Sequence, residues 1–395
     1  MSFRDLGDFI RYAYHNSPAV RDRFSKAGLK PEDIKEVKDL PRLPVIRKSE
    51  LSQRQQSAPP FGGFLAVPMT RVQRVFASPG PIYDPQGEGE DYWRWGDALV
   101  AAGFKAADVV QNTFSYHLTP AGFMFDSSLR SLGCTVVPAG VGNTELQVQI
   151  MRDVGVTAYI GVPSFLYALL KKAEEQGVVQ ELALRRAWIT AERLSEELRA
   201  LLLEKYGVSV FQGYGTADTG CVAYECSRMK GLHLARDVVV EVVDPQSGEP
   251  VPDGETGEIV VTLMVATYPL LRLATGDLSA FTTEPCSCGL PARRLVGVLG
   301  RAAAGVKVRG LFLYPHQVSE LAGEFSQVRA LQAEVTQRDF RDELTLKAEL
   351  AEGTPETPEL AASIAARAKE LLRLKSQVSF VPPGTVGEAL LVDKR

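Results

Sequence analysis

The sequence predicts an α/β protein: a large N-terminal domain with helix-wrapped, mainly parallel sheets and a β-rich subdomain, then a small α+β C-terminal domain. Between about residues 92 and 212, short apolar strands alternate with helices, a pattern typical of a parallel sheet covered by helices. After residue 230 the segments become strand-rich. After residue 300, strands and helices mix again. We therefore predict domains at 1–300 and 301–395, with the β-rich subdomain at about 230–300.

The first 68 residues are predicted to form helices followed by a connection. Residues 5–26 have a helical pattern, and a second helix is expected to start near Pro31. Residues 40–68 are rich in proline and glycine, which favours a long surface connection.

The alternating region contains five predicted helices and five predicted strands. The helices are expected at 92–102, 121–132, 146–154, 164–176 and 195–206, and the strands at 109–113, 135–138, 158–162, 186–190 and 209–212. Ligands of such sheets bind in the loops beyond the carboxyl ends of the strands. Two of these loops are predicted to be 190–192 and 213–216.

The remaining segments define the subdomain and the C-terminal domain. Strands are predicted at 238–243, 257–262 and 271–273, then a ribbon at 306–313, a helix at 315–325, strands at 329–336 and 343–350, a helix at 357–373 and a strand at 377–381. Turn sequences such as Asp253-Gly254 separate the first group, which favours antiparallel pairing.

Composition excludes several classes of function. The chain has 395 residues, 45% hydrophobic and 23% charged, with a net charge of -4. That charge gives no electrostatic reason to expect nucleic acid or an anionic membrane. No run approaches the roughly 18 apolar residues of a membrane span. The polar N-terminus is unlike a signal peptide, and few cysteines suit a reducing compartment, so a cytoplasmic location is expected.

Four of the nine cysteine and histidine residues cluster in two short segments. Six residues separate Cys226 from His233, and Cys286 and Cys288 form a Cys-x-Cys motif beside proline and glycine. Three thiolates and one imidazole suit a closed, structural zinc site with no open catalytic position. On spacing alone, two small buried thiols with a core histidine remain an equal alternative.

Several segments share motifs with one enzyme superfamily. They are Leu271–Leu278 (LRLATGDL), Gly300–Gly310 (GRAAAGVKVRG), Gln212–Asp218 (QGYGTAD), Pro60–Gly62, Gly142–Glu145, Val162–Phe165, Glu225–His233 and Pro285–Gly289. Together these segments resemble the adenylate-forming enzymes, in particular the phenylacetate–coenzyme A ligase branch. Some members of that branch carry a metal at the cysteine and histidine positions, which favours the zinc interpretation.

The resemblance implies a two-step activation of a carboxylic acid. ATP and the acid give an acyl-adenylate and pyrophosphate, and a thiol, usually coenzyme A, then displaces AMP. The implied cofactors are AMP or ATP with magnesium, coenzyme A, and structural zinc, and the implied partners are a small carboxylic acid and a nucleotide. Residues 301–395 correspond to a C-terminal domain that is mobile between the steps. The sequence leaves a homodimer open.

The resemblance also assigns site residues. Those assigned to the nucleotide are Thr190, Ala191, Glu192, Gly213, Tyr214, Gly215, Thr216, Asp277 and Arg301. Tyr214 is expected to pack on the adenine, Asp277 to accept hydrogen bonds from the ribose, and Arg301 to lie near ribose or phosphate. Tyr116 and His117 are expected to face the acid. Taken singly, Tyr214 could instead be core packing and Asp277 a turn or cap residue.

The chain departs from the family pattern where the triphosphate is handled. The segment 76–85 contains Pro79 and Pro81, which remove N–H donors, and Asp84, whose charge is expected to repel phosphate. The family lysine that stabilises the adenylation transition state corresponds to Glu388, with Lys394 as the alternative if the tail shifts. Further replacements in the family motifs are Ala217, Asp218, Ala274 and Ala302-Ala303-Ala304.

Three interpretations follow from these departures. The first is an ATP-dependent acid–coenzyme A ligase with attenuated adenylation. The second is a non-catalytic, zinc-stabilised protein that binds AMP or an acyl thioester. The third is an enzyme of the second half-reaction only, which receives its adenylate or thioester from elsewhere. The acid, and the choice between coenzyme A and a carrier-protein thiol, are not specified by the sequence.

Overall fold

The computed structural model describes residues 3–78, 82–291, 293–302, 306–309, 311–313 and 315–395, with backbone alone at 307, 311, 312 and 316. The chain divides into two compact units, Met1–Ala302 and Ala303–Arg395. Each unit has its own hydrophobic core. The α/β fold class predicted from the sequence is confirmed.

The helices follow one another along the chain with short 3-10 turns between some of them. They are α1 (Leu6–Asn16), α2 (Pro18–Lys26), α3 (Lys48–Ser57), α4 (Gly96–Ala101), α5 (Ala121–Ser131), α6 (Thr144–Asp153), α7 (Pro163–Glu175), α8 (Glu196–Tyr206), α9 (Pro315–Gly323) and α10 (Pro358–Leu372). The 3-10 turns are Pro31–Asp33, Val37–Arg42, Met69–Arg71 and Val179–Glu181.

The strands are short in the first unit and longer in the second. They are β1 (Ile46–Arg47), β2 (Arg74–Ser78), β3 (Ile82–Gln86), β4 (Val109–Asn112), β5 (Thr135–Pro138), β6 (Ala158–Gly161), β7 (Arg186–Ile189), β8 (Ser209–Thr216), β9 (Gly220–Tyr224), β10 (Leu232–Leu234), β11 (Val238–Val243), β12 (Gly257–Leu263), β13 (Leu273–Ser279), β14 (Phe281–Thr282), β15 (Arg294–Leu295), β16 (Gly300–Arg301), β17 (Val306–Val308), β18 (Leu311–Leu313), β19 (Val328–Arg338), β20 (Arg341–Leu350), β21 (Gln377–Phe380) and β22 (Leu391–Asp393).

The predicted N-terminal helix is two helices. Pro18 has no N–H to donate and occupies the first turn of α2. The Ser17 hydroxyl accepts a hydrogen bond from the backbone N–H of Val20 at 3.3 Å and caps α2. A serine followed by proline therefore ends one helix and starts the next.

The predicted surface connection at 40–68 is wrong. It contains β1 and α3, and its apolar side chains belong to the main core of the first unit. Those that are at most 3% exposed are Leu40, Leu43, Ile46, Leu51, Phe61 and Phe64. The apolar residues of this segment are irregularly spaced between prolines and show no helical period. The sequence pattern therefore gave no sign that the segment is buried.

Within the described residues, nine strands form the largest sheet, in the order β14-β15-β10-β9-β8-β7-β6-β4-β5. Strands β8, β7, β6, β4 and β5 are parallel to their neighbours, as the helix–strand alternation predicted. The predicted helix at 92–102 is limited to α4, because Arg94 has a φ of 62°, which an α-helix cannot contain.

The β-rich subdomain contains a five-stranded sheet. Its path is β1-β13-β12-β11, with β16 paired to β13. Strands β11, β12 and β13 are antiparallel, as predicted, whereas β1 joins β13 in parallel and places Arg47 beside Ala274. The start of α3 is therefore fixed next to the strand that carries the Thr-Gly-Asp motif.

The second unit is a four-stranded sheet, β21-β20-β19-β22, together with α9, α10 and the ribbon β17-β18. The sequence predicted all of these elements except β22, whose three residues are too short to show an alternating pattern. Among the described residues, no helix is both long and apolar enough to cross a membrane.

Candidate functional site

The residues expected to hold a nucleotide begin at the carboxyl ends of two neighbouring parallel strands of the nine-stranded sheet. Strands β7 and β8 are parallel, with Ile189 beside Gln212. Thr190 and Gly213 therefore follow at the same edge, and the Thr190 hydroxyl donates to the Gly213 carbonyl oxygen at 2.9 Å. The two segments meet where ligands of parallel sheets bind.

The segment 213–216 is strand and not the predicted loop. Strand β8 pairs first in parallel with β7 and then antiparallel with β9. A Cβ at Gly213 would lie 2.5 Å from the Trp188 ring. A Cβ at Gly215 would lie 2.2 Å from the Gly220 carbonyl oxygen. Packing alone therefore requires both glycines, and their contact with a ligand stays a prediction.

Tyr214, Asp277 and Arg301 form a bonded chain beside this edge. The Tyr214 hydroxyl donates to Asp277 Oδ2 at 2.8 Å, and Arg301 Nη1 donates to Asp277 Oδ1 at 2.8 Å. Burial, reinforced by the Asp277 charge, raises the pKa of Tyr214 well above its usual value, so it remains a donor. Tyr214 is 7% exposed and packs in the core, so the adenine platform stays a prediction.

Gly276 allows the arginine to lie against its strand. Its φ is +81°, and a Cβ there would lie 2.9 Å from Arg301 Nη2. The Gly276 N–H donates to Glu258 Oε1 at 3.0 Å, and Glu258 Oε2 accepts from Arg47 at 3.0 Å. A side chain at this position would displace the Arg301–Asp277 ion pair.

The loop after β7 is strained and half-buried. Ala191 has a φ of 73°, a left-handed conformation that costs a non-glycine residue about 1 kcal/mol. Glu192 Oε2 accepts from the backbone N–H of Ser164 at 3.4 Å, at the start of α7. A carboxylate is favoured at this helix N-terminus. Strain held beside a polar edge is typical of a functional loop.

The two residues expected to face the acid differ in environment. The Tyr116 hydroxyl accepts from Asn112 Nδ2 at 2.9 Å and lies 3.4 Å from Asp126 Oδ1, and burial raises its pKa. His117 is exposed. Their contact with an acid stays a prediction.

Lys48 is a charged residue of this region that sequence reasoning missed. Its Nζ lies 2.5 Å from Asp218 Oδ2, and the lysine side chain is 34% exposed while that of Asp218 is 1% exposed. The Thr216 hydroxyl donates to the same carboxylate oxygen at 3.1 Å. Lys48 was not predicted because it lies in the segment 40–68, which was expected to be a surface connection. A single lysine also gives no sequence motif from which a function could be inferred.

The segment expected to replace a phosphate loop is mostly a hairpin. Strands β2 and β3 are antiparallel, with Ser78 opposite Ile82. Pro79 and Pro81, on which the prediction of a poor phosphate cradle depends, lie outside the described residues.

Asp84 does not present the repelling charge that the sequence suggested. It is 1% exposed, and within the described part of the chain neither carboxylate oxygen has a hydrogen-bond partner. Burial, reinforced by the Asp218 charge, raises the pKa of Asp84 well above its usual range. The adjoining cavity, of about 10 Å³, has room for about one water molecule. The group favours its neutral form and faces the interior.

Asp84→Asn is expected to stabilise the protein near neutral pH and to have less effect near pH ~4. The folded-state pKa of Asp84 is raised, so the folded chain holds a proton that the unfolded chain has lost. Stability therefore falls as pH rises above the unfolded pKa, by at most about 1.4 kcal/mol per pH unit. Asparagine cannot ionise and removes this loss.

Denaturant unfolding across this pH range measures the effect of Asp84→Asn. The control is Asp253→Asn, because Asp253 forms a solvent-exposed ion pair with Arg293. A variant that is less stable than the parent at every pH would contradict the assignment of a buried, uncompensated carboxyl group.

The positions expected to carry the family lysine lie in the second unit. Glu388 is exposed, beyond a turn in which the Val386 N–H donates to Glu349 Oε1 at 2.6 Å. Lys394 forms an ion pair with Glu334 at 2.6 Å and extends strand β22. Within this unit, the aligned position thus presents a carboxylate to solvent.

Sheet pairing brings the four cysteine and histidine ligands together. Strand β10 carries His233 and pairs with both β9 and β15. Cys226 follows β9, and Cys286 and Cys288 lie in the loop between β14 and β15. Their ligand atoms all lie within 4.8 Å of one another.

The distances fit one tetrahedral ion. Cys226 Sγ lies 3.7 Å from Cys286 Sγ, and Cys288 Sγ lies 3.4 Å from His233 Nε2. A tetrahedral zinc with Zn–S of about 2.3 Å and Zn–N of about 2.0 Å separates two sulfurs by about 3.8 Å and sulfur from nitrogen by about 3.5 Å. The cluster can therefore accept zinc with little movement.

The surroundings favour metal binding further. His233 Nδ1 lies 3.1 Å from the Pro291 carbonyl oxygen, which orients the ring with Nε2 towards the thiols. The backbone N–H of Cys288 is the main cause that lowers the pKa of the Cys286 thiol to about 6. Burial raises the pKa of Cys226 to about 11, so metal binding there must release a proton.

Comparison with known proteins identifies related sequences. Residues 100–263 match the family model of the AMP-binding enzymes. The chain is 32% identical over 410 residues to a phenylacetate-coenzyme A ligase of Thermus thermophilus, covering 96% of this chain and 91% of that protein. It is 30% identical over 360 residues to a phenylacetate-coenzyme A ligase of Escherichia coli, covering 87% and 80%.

A solved structure has the same fold. It is 2-hydroxyisobutyryl-CoA ligase in complex with 2-HIB-AMP and CoA in the thioesterification state. The TM-score is 0.87 at 23% identity, with 98% of this chain and 88% of that chain covered.

Proposed function

Because this chain belongs to the phenylacetate–coenzyme A ligase branch of the adenylate-forming superfamily, we propose that it is an ATP-dependent acid–coenzyme A ligase with attenuated adenylation. The proposal includes a small carboxylic acid as substrate and a C-terminal domain, residues 301–395, that is mobile during the cycle.

The bonded set at the sheet edge is the observation that supports this function best. It extends from Thr190 through Gly213 to Tyr214, and from Tyr214 through Asp277 to Arg301. The buried Asp277 carboxylate lies between a phenol and a guanidinium and offers acceptor oxygens for two ribose hydroxyls once either partner shifts. Arg301 then provides a cation for the phosphate of AMP.

The proposed reaction has two steps. In the first, a carboxylate oxygen attacks the α-phosphorus of ATP, an acyl-adenylate forms and pyrophosphate leaves. In the second, the thiol of coenzyme A gives its proton to water and its sulfur attacks the acyl carbon. The bond from that carbon to the phosphate oxygen breaks, and AMP leaves. Thr190, Glu192 and Asp277 serve to bind and orient the AMP part in both steps.

The residues around Asp218 do not fit the magnesium ion of the family reaction. Magnesium requires oxygen ligands at about 2.0–2.1 Å in octahedral geometry. Asp218 Oδ2 already contacts the Lys48 ammonium and the Thr216 hydroxyl, and Asp218 Oδ1 is buried with no hydrogen-bond partner among the described residues. Asp218 therefore lacks an accessible oxygen for a magnesium ion.

Attenuation follows from the position of the missing lysine. A cation that bridges carboxylate and α-phosphate stabilises charge that develops in the transition state, and its loss costs about 3–4 kcal/mol. Glu388 places a negative charge at the aligned position, and Ala217 lacks the hydroxyl of the family motif. Binding of AMP depends on other residues and is retained.

The four-residue cluster supports a structural zinc site as part of the proposal. Cys226, His233, Cys286 and Cys288 would hold one ion with no open position. Such an ion supplies folding energy and joins the loop after β9 to the loop before β15. It takes no part in the reaction.

A non-catalytic AMP or acyl-thioester binding protein is the alternative that the Glu388 position favours. A third candidate performs the second half-reaction alone. Acid-dependent release of pyrophosphate separates the ligase from both. Thioester formation from a preformed acyl-adenylate separates the third from the binding protein.

ATP is expected to bind no more tightly than AMP. In this proposal the bonded set holds ribose and one phosphate, whereas Pro79 and Pro81 in the segment 76–85 have no N–H to donate to the other two phosphates. Calorimetric titration with each nucleotide measures both affinities. ATP binding tenfold or more tightly than AMP would show that the triphosphate has a complete cradle, and absence of AMP binding would contradict the proposed function.

A further inference from the structure

We propose that Lys48 provides the cation of the phosphate subsite in this chain, in place of magnesium, so that AMP or an acyl-adenylate binds without a metal ion. This inference rests on the proposed function, because it assumes the nucleotide site beside Asp277.

The fold places Lys48 at the nucleotide site. Strand β1 runs parallel to β13 with Arg47 beside Ala274, so Lys48 follows immediately beside the Thr-Gly-Asp motif. Lys48 is the first residue of α3 and lies within electrostatic range of Asp218, Asp84 and Asp277. The Lys48 ammonium group thus interacts electrostatically with three buried carboxyl groups.

The contact with Asp218 occupies the place that a metal ion would need. At 2.5 Å, the ammonium group covers Asp218 Oδ2, and a divalent cation there would be repelled by it. Asp218 Oδ1 is buried and has no hydrogen-bond partner among the described residues. Lys48 therefore contacts only one of the two carboxylate oxygens of Asp218, Oδ2.

The lysine retains capacity for a ligand. An ammonium group has three donors, and the contact with Asp218 uses one of them. The Lys48 side chain is 34% exposed, whereas that of Asp218 is 1% exposed. A ligand can therefore reach the lysine but not the carboxylate of this ion pair. A compact point charge of this kind suits a phosphate oxygen.

The charge balance limits which phosphates bind. Asp84 favours its neutral form, so Lys48 offsets the Asp218 charge and leaves a subsite without excess negative charge. Such a subsite accepts one phosphate, and it lacks the divalent cation that usually accompanies a triphosphate. The same geometry therefore accounts for AMP binding and for weak use of ATP.

The test is calorimetric titration of AMP in the presence of magnesium chloride or of a chelator. The variants are Lys48→Met, Lys48→Met with Asp218→Asn, and Lys38→Met as a control, because Lys38 is an exposed lysine of the same unit. The parent and the control are expected to bind AMP equally with and without magnesium. Lys48→Met is expected to bind about ten- to a hundredfold more weakly in chelator.

Magnesium distinguishes a phosphate contact from a merely structural lysine. In Lys48→Met, Asp218 is free to bind magnesium, which is expected to restore part of the AMP affinity. In the double variant Asp218 can no longer bind magnesium, so magnesium is expected to have no effect. The double variant also removes the unpaired buried charge that could prevent folding.

Three results would count against the inference or its premise. Magnesium-dependent AMP binding by the parent, or AMP binding by Lys48→Met within twofold of the parent, would overturn the assignment of Lys48 alone. Failure of the parent to bind AMP under either condition would overturn the proposed function as well.

Discussion

Cys286→Ser is expected to reduce bound zinc from about one ion per chain to a small fraction and to lower the melting temperature by roughly 10 °C. Serine cannot supply the soft thiolate ligand, and three remaining ligands hold zinc far less tightly. The site joins two loops on adjacent strands of the nine-stranded sheet, so its loss releases both. Loss of a structural metal is among the few single changes that cost about 4 kcal/mol or more.

Elemental analysis and thermal unfolding of the purified protein measure this effect. Cys134→Ser is the matched control, because Cys134 lies outside the cluster and its Sγ is 3.3 Å from the Lys105 carbonyl oxygen. A serine hydroxyl can donate to the same oxygen, so zinc content should not change. Protein purified without chelators that contains almost no zinc, with a melting temperature that Cys286→Ser leaves unchanged, would refute a structural metal site.

The parts of the fold that the sequence predicted well are those with a clear period. Strands β4 to β8 and helices α5 to α8 lie within one or two residues of their predicted bounds, except that β8 is longer. Strand β8 continues because its second half acquires a new partner, β9. A change of partner in the tertiary structure leaves no trace in local periodicity.

The candidate site was predictable where residue types are rare. Cys226, His233, Cys286 and Cys288 stand out because cysteine and histidine are scarce in this chain. Lys48 does not stand out in the sequence, because it is one of 44 lysine and arginine residues. Its proposed role depends on contact with Asp218, which is 170 positions away. Long-range ion pairs of common residues require the structure.

Asp84 shows that an aspartate in the sequence need not be ionised in the folded protein. The sequence suggests repulsion of phosphate because aspartate is normally ionised. Its burial on β3 raises the pKa and removes most of that charge. The proposal of attenuated adenylation therefore depends on the missing cation at Glu388 and no longer on the charge of Asp84.

Adenylation is expected to be slower by two to three decades than in a family member that has the lysine. Ala217 and Glu388 both differ from the family at groups that act on the same transition state. Their losses need not add, but neither can replace the other. Glu388→Lys alone should therefore recover little activity. Glu352→Lys, at an exposed position of the same unit, is the control for added positive charge.

The most direct test of attenuated adenylation is acid-dependent exchange of labelled pyrophosphate into ATP, across aryl and aliphatic acids, beside thioester formation from a preformed acyl-adenylate and coenzyme A. We expect exchange far below one turnover per second for every acid, and faster thioester formation from the adenylate. Exchange at about 1–1000 per second, the usual range of enzymes, would contradict the central claim and identify an ordinary ligase.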